Sequence, residues 1–99
     1  MKTEVSDTLA NVFIWWGGNS YYPEYGLEYK NNLNEESVAS LRKDMEEIIK
    51  KQTADCELMN NLTSDMGFQN DQQAADFFES VYKYLFKNGS EPDIDNYTG

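Results

Sequence analysis

The sequence predicts an all-α single small domain of about four helices with one long Tyr-rich loop. Three observations carry that expectation. Apolar residues recur at helical spacing in four separate segments. Each segment is flanked by residues that cap or stop a helix. Its 99 residues leave room for one domain only. Hydrophobic residues make up 39% of the chain and aromatics 14%, so the core is expected to rest on a few large rings. The expected limits are a helical domain over 1–89 and an acidic, mobile C-terminal tail over 90–99.

The first segment sets Leu9, Val12, Phe13 and Trp16 at i, i+3, i+4 and i+7, one face of a helix. Ser6 or Asp7 caps its start, and Gly17-Gly18 stops it. The run Val12-Phe13-Ile14-Trp15-Trp16 also suits a strand, so residues 11–16 stay open between helix and strand. Residues 17–33 read as a connection, punctuated by Gly17, Gly18, Pro23 and Gly26. Tyr21, Tyr22, Tyr25, Leu27 and Tyr29 can pack it against the helices. A loop of this length with its own aromatics is often functional.

The second helix has Asn34 as N-cap, Glu35 and Glu36 in the first turn and Lys50 and Lys51 in the last, as the helix dipole favours. Val38, Leu41, Met45, Ile48 and Gln52 mark its inner face. The third runs from about Thr53 or Asp55 to Met66, with Leu58, Met59, Leu62 and Met66 inward and Gly67 as the stop before Phe68. Cys56 falls among these apolar positions and is expected in the core. The fourth begins at Asn70 or Asp71, presents Ala74, Phe77, Phe78, Val81, Tyr84 and Leu85, and ends at Gly89.

Composition excludes several functions. There is no histidine, so the commonest general base and metal ligand is missing. A single cysteine, Cys56, allows neither an internal disulfide nor a multi-Cys zinc site. Cys56 has no histidine to activate it, and a small domain offers no cleft for paired catalytic carboxylates. The acidic tail lacks the glycine and closing glutamate of a calcium loop. Gly17-Gly18 lacks the Lys and Ser/Thr of a phosphate loop. The expectation is a protein that is not an enzyme and has no cofactor and no metal. The N-terminus lacks the pattern of a signal peptide, and the longest apolar run is too short for a bilayer, so a cytoplasmic location is expected.

The charge is −10, from 18 acidic and 8 basic residues. The last 47 residues hold 9 acidic and 2 basic groups, net −7. Such a chain repels nucleic acid and anionic membrane and attracts a cationic protein surface. Trp15, Trp16, Tyr21, Tyr22, Tyr25 and Tyr29 fall close together, and rings of this kind are common interface anchors. Neighbours on a helix point about 100° apart, so Trp15 and Trp16 cannot share a face. Trp16 is expected in the core, with Trp15 and some of the tyrosines part-exposed.

The order of these elements resembles a known family. An apolar–aromatic helix and an aromatic loop precede Val38-Ala39-Ser40-Leu41-Arg42-Lys43-Asp44-Met45-Glu46-Glu47-Ile48-Ile49. A short helix then ends in Leu62-Thr63-Ser64-Asp65-Met66-Gly67-Phe68, followed by Phe77-Phe78-Glu79-Ser80-Val81-Tyr82-Lys83-Tyr84-Leu85. Over roughly residues 8–88 this is similar to the small all-helical immunity proteins of bacterial contact-dependent growth inhibition, the CdiI type. Gly17-Gly18-Asn19-Ser20-Tyr21-Tyr22 stands where that family tends to carry an acidic, Trp-containing stretch, and Met66-Gly67 replaces its usual Leu-Gly pair. The resemblance implies a protein that binds and neutralises the C-terminal toxin domain of an effector, often a nuclease with a cationic surface. It transfers no individual site residue, because those surfaces vary with each toxin.

The residues expected to bind a toxin are Trp15, Tyr21, Tyr22, Glu24, Tyr25 and Glu28 in the loop region, then Asp71, Asp76 and Glu79 on the last helix. Two other readings fit the composition. One is a phage anti-defence protein or DNA mimic, which needs carboxylates in two rows. The other is a non-catalytic adaptor that could pair with a second copy through its aromatics.

Overall fold

The computed structural model describes residues 6–16, 22–63 and 67–97. Five α-helices make up the chain there: α1 (Asp7–Phe13), α2 (Pro23–Asn31), α3 (Glu35–Lys51), α4 (Cys56–Leu62) and α5 (Asp71–Phe86). A 3-10 turn, Ile14–Trp16, extends α1, and another, Ile94–Asn96, lies in the tail. No strand occurs among the described residues, and residues 11–16 are helical. No described helix is long and apolar enough to cross a membrane.

The caps follow the polar residues that precede each apolar face. The side chain of Ser6 accepts the Leu9 N–H, Asn34 the Ser37 N–H, Asp55 the Leu58 N–H and Asn70 the Gln73 N–H. Each satisfies one of the donors that a helix start leaves open. Gln52 is exposed and left-handed (φ 56°) at the end of α3, so it terminates the helix instead of continuing its inner face. The structure defines α4 to Leu62, with Thr63 as C-cap. Met66, expected on its apolar face, lies outside the described residues, as do Gly17, Gly18 and Tyr21.

The main difference from expectation is α2. Residues 23–31 are helix, not loop, which makes five helices instead of four and shortens the expected Tyr-rich connection. Pro23 occupies the first turn, where its missing N–H costs nothing and its fixed φ suits the helix. Gly26 lies inside α2 for a packing reason. A Cβ there would meet Trp16 Cζ3 at 2.9 Å and the Val12 carbonyl oxygen at 3.1 Å. Two of the four residues that read as loop punctuation, Pro23 and Gly26, therefore serve a helix.

The core gathers around α1 and α5. Leu9, Val12, Phe13 and Trp16 meet Leu41 and Met45 of α3, Met59 of α4, and Ala74, Phe77, Phe78, Val81 and Leu85 of α5. Phe13 stacks on Phe78 at 5.3 Å, and Trp16 lies edge-on to Phe77 at 6.0 Å and to Tyr84 at 6.2 Å. The Trp16 indole N–H donates to the Pro92 carbonyl at 3.2 Å, and Ile94 is 1% exposed. Within the tail expected to be mobile, Pro92 and Ile94 are buried and Tyr97 packs on the core, because Trp16 offers a donor and the core a site for Ile94. The Ser80 and Tyr97 hydroxyls meet at 2.8 Å and fix its far end.

Asn60 joins α4 to the segment before α5. Its side-chain oxygen accepts the N–H groups of Gly67 and Phe68, and its amide donates to the Phe68 carbonyl. Gly67 is left-handed, with φ 98°. Cys56, expected in the core, is half-buried at its edge, where its thiol donates to that same Phe68 carbonyl.

Gly26→Val tests the contact between α2 and Trp16. The added branches must displace a wholly buried indole and a backbone carbonyl. Overpacking of that kind costs about 1–3 kcal/mol. Chemical denaturation should show a loss in that range, and unchanged stability would mean that α2 does not pack on Trp16.

Candidate functional site

Two surfaces collect the residues that the sequence singled out. The first is the corner where the 3-10 turn after α1 meets the start of α2. The Tyr22 N–H donates to the Trp15 carbonyl at 2.9 Å, which sets the two segments side by side. The Trp15 ring then meets Tyr25 edge-on at 5.2 Å, and Tyr25 stacks on Tyr22 at 5.2 Å. Trp16 is wholly buried and Trp15 is half-buried. Ile14 (51%), Tyr22 (49%) and Tyr25 (42%) are the exposed large hydrophobics among the described residues, and all belong to these two segments. Ile14 was not singled out in the sequence, where it reads as part of an apolar run. Tyr29 faces inward, half-buried against the core, and its hydroxyl accepts from Asn11.

Glu24 and Glu28 are exposed on α2 beside these rings. Glu24 has a neighbour that the sequence did not indicate. Burial, then Glu91 and Glu24, push the Tyr84 hydroxyl above the usual tyrosine range, so both carboxylates lie near that phenol. The aromatic corner is thus edged by acidic groups from α2 and from the segment after α5. Tyr21 lies outside the described residues.

The second surface is the seam between α3 and α5, which run antiparallel. Gln52 lies near Asp71 and Gln72 at one end, Glu46 meets Tyr82 in the middle, and Arg42 lies over the Phe86 ring at the other. A hollow of about 560 Å³ opens along the seam, lined by Ile48, Ile49, Ala54 and Ala75 and by Asp55, Asp71, Asp76 and Glu79. The structure therefore brings Asp71, Asp76 and Glu79 together. Each is already engaged locally. Asp71 accepts the Cys56 N–H, Asp76 accepts from Gln72, and Glu79 pairs with Lys83 at 3.4 Å.

The two surfaces do not form one patch. Tyr84 lies five residues beyond Glu79, about 140° further round the axis of α5. The aromatic corner and the seam thus occupy different flanks of the last helix, and the eight described residues among the nine expected to bind a toxin divide between them.

A polar cluster fastens the seam. The Tyr82 hydroxyl donates to Glu46 Oε2 at 2.5 Å, and the Arg42 guanidinium meets the same oxygen at 3.3 Å. The hydrogen bond from Tyr82 holds the Glu46 carboxyl below its usual range, and Glu46 in turn raises the Tyr82 phenol. Sequence reading placed Val81 and Leu85 on the inner face of the last helix and passed over Tyr82 between them. Its partner is 36 residues away and becomes visible only once the two helices are paired.

Among the described residues, no group of three or more His, Cys, Asp or Glu side chains is placed to hold a metal ion. No family model, characterised protein or solved structure matches this chain.

Tyr82→Phe removes the hydroxyl and should lower the melting temperature at neutral pH. A carboxylate with a depressed folded pKa contributes stability above its unfolded pKa and loses it as pH falls through the folded value. The gap between wild type and variant should therefore narrow in acid, below the ordinary carboxylate range. A gap of constant size through that range would contradict the Tyr82–Glu46 bond.

Proposed function

We propose that this chain is an immunity protein, which binds and neutralises a cognate toxin domain with a cationic surface. One observation carries the reading. Two of the three exposed large hydrophobics of the described residues, Tyr22 and Tyr25, stack on each other at one corner, where Tyr25 also meets Trp15, with Glu24 and Glu28 exposed on the same helix. Exposed apolar groups scattered singly are ordinary, whereas a contiguous aromatic group edged by charge has the composition of a binding surface.

The division of labour follows from the physics. Carboxylates at the rim and a net charge of −10 draw a basic partner inward over long range and speed encounter. Rings at the centre bury large area at small entropy cost and slow dissociation. A nuclease is a fitting partner because it must carry positive charge to hold phosphate. The resemblance of residues 8–88 to contact-dependent growth inhibition immunity proteins supports the same reading. The protein needs no catalytic group, metal or cofactor for this task, and it acts where the toxin acts, in the cytoplasm.

The partner is identified by retention from a lysate of the native bacterium at low salt, with mass spectrometry of the bound fraction. One basic toxin domain, released only by denaturant, is the expected result. A host nucleic-acid-binding or defence enzyme would replace this reading with a DNA mimic. With the toxin in hand, Glu24→Lys combined with Glu28→Lys should weaken binding about tenfold or more, mostly through slower association. Unchanged affinity would remove the α2 corner from the interface.

A further inference from the structure

The hollow along the α3–α5 seam continues into a second one of about 280 Å³, with which it shares Ile49 and Glu79. The two differ in charge. The first is lined by four carboxylates and no cation. The second is lined by Lys50, Lys83 and Lys87, around Tyr82 and Ile49. Glu46 also borders it, but Tyr82 and Arg42 already hold that carboxylate. In a chain of charge −10 with only 8 basic residues, three lysines are thus collected at one end of a groove whose other end is purely acidic.

We infer that this seam is a self-association surface, on which two copies of the chain pack with α5 against α5 in opposite directions. The charge pattern is complementary to itself under a two-fold rotation. Asp76 and Lys83 lie three residues before and four residues after Glu79, about 5 Å and 6 Å along the helix, and both turn about 40–60° to the same side of its axis. An axis through Glu79 and Ile49 therefore sets Asp76 beside the partner's Lys83, and lays the acidic end of the groove over the partner's lysine end. The same patch serves on both copies, as a closed dimer requires. Ile49 and Ala75 supply apolar surface near the axis, and the facing glutamates are each neutralised by their own Lys83. This interface leaves the aromatic corner free, because that corner lies on the other flank of α5.

Sedimentation equilibrium of the full chain tests the inference at about 0.15 M salt, where the screening length of roughly 8 Å damps the net repulsion but not the facing pairs. The wild type should be a reversible dimer at concentrations up to about 200 μM. Lys83→Glu with Lys87→Glu, and separately Gln72→Lys with Asp76→Lys, should each weaken the dimer about tenfold or more. All four positions are exposed, and circular dichroism checks that both variants keep their helices. An equimolar mixture of the two variants should associate again, since each supplies the charge that the other has lost. A wild type that stays monomeric overturns the inference. So does a dimer that both variants leave intact, or a mixture of folded variants that does not reassociate. Tyr25→Ala should keep the dimer, and its loss there would move self-association to the aromatic corner.

Discussion

The arrangement depends on the burial of one side chain, Trp16. Its indole lies against Gly26 of α2, Phe13 of α1, and Phe77 and Tyr84 of α5, and its N–H reaches the Pro92 carbonyl. Four parts of the chain are therefore fixed by one ring. A buried indole must find an acceptor for its N–H, so the tail is needed to satisfy it. The close approach of α2 is possible only because position 26 has no Cβ. Removing a ring of this size from a core usually costs about 3–5 kcal/mol, a large share of what a small domain has.

Burying Trp16 also decides what reaches the surface. Trp15 is adjacent on a helical turn and must point elsewhere. It meets Tyr25, and Tyr25 meets Tyr22, so the rings that the core cannot take are assembled on the outside instead of scattered. The proposed binding corner is thus a consequence of the packing beneath it. The α3–α5 seam has a different origin. Its charges follow from the helix termini, with carboxylates near the start of α5 and lysines near its end and near the end of α3, as helix dipoles favour. Antiparallel pairing would normally set these side by side in register. Here the acidic start of α5 lies opposite exposed Gln52 and the capped turn that follows it, so the acidic and basic ends of the groove stay separate.

Much of this was legible in the sequence because local rules agree with the final packing. The inner face of α3 and its Asn34 cap, the inner face of α5 and the separation of Trp16 from Trp15 all follow from spacing and residue chemistry, whereas Gly67, read as the stop of α4, lies five residues past Leu62. The start of α2 did not, because Pro23 and Gly26 are breakers by propensity and become helix residues only through the first-turn position and the contact with Trp16. Pro92 and Ile94 read as an acidic tail, since nothing local announces that an indole 76 residues away needs a carbonyl. Tyr82 and Glu46, and the lysine cluster of the seam, depend on which helices pair and in which direction. The candidate binding residues were readable as types, but their division between two flanks of α5 was not.

The central claim is that Trp16 is the buried anchor and Trp15 the surface ring, and the chain has no other tryptophan. Fluorescence of the single-tryptophan variants separates the two. Trp15→Phe, which leaves Trp16, should emit at short wavelength and resist quenching by acrylamide, while the replacement Trp16→Phe, examined under conditions where it remains folded, should emit at longer wavelength and quench readily. Equal accessibility of the two indoles, or a readily quenched Trp16, would contradict the account.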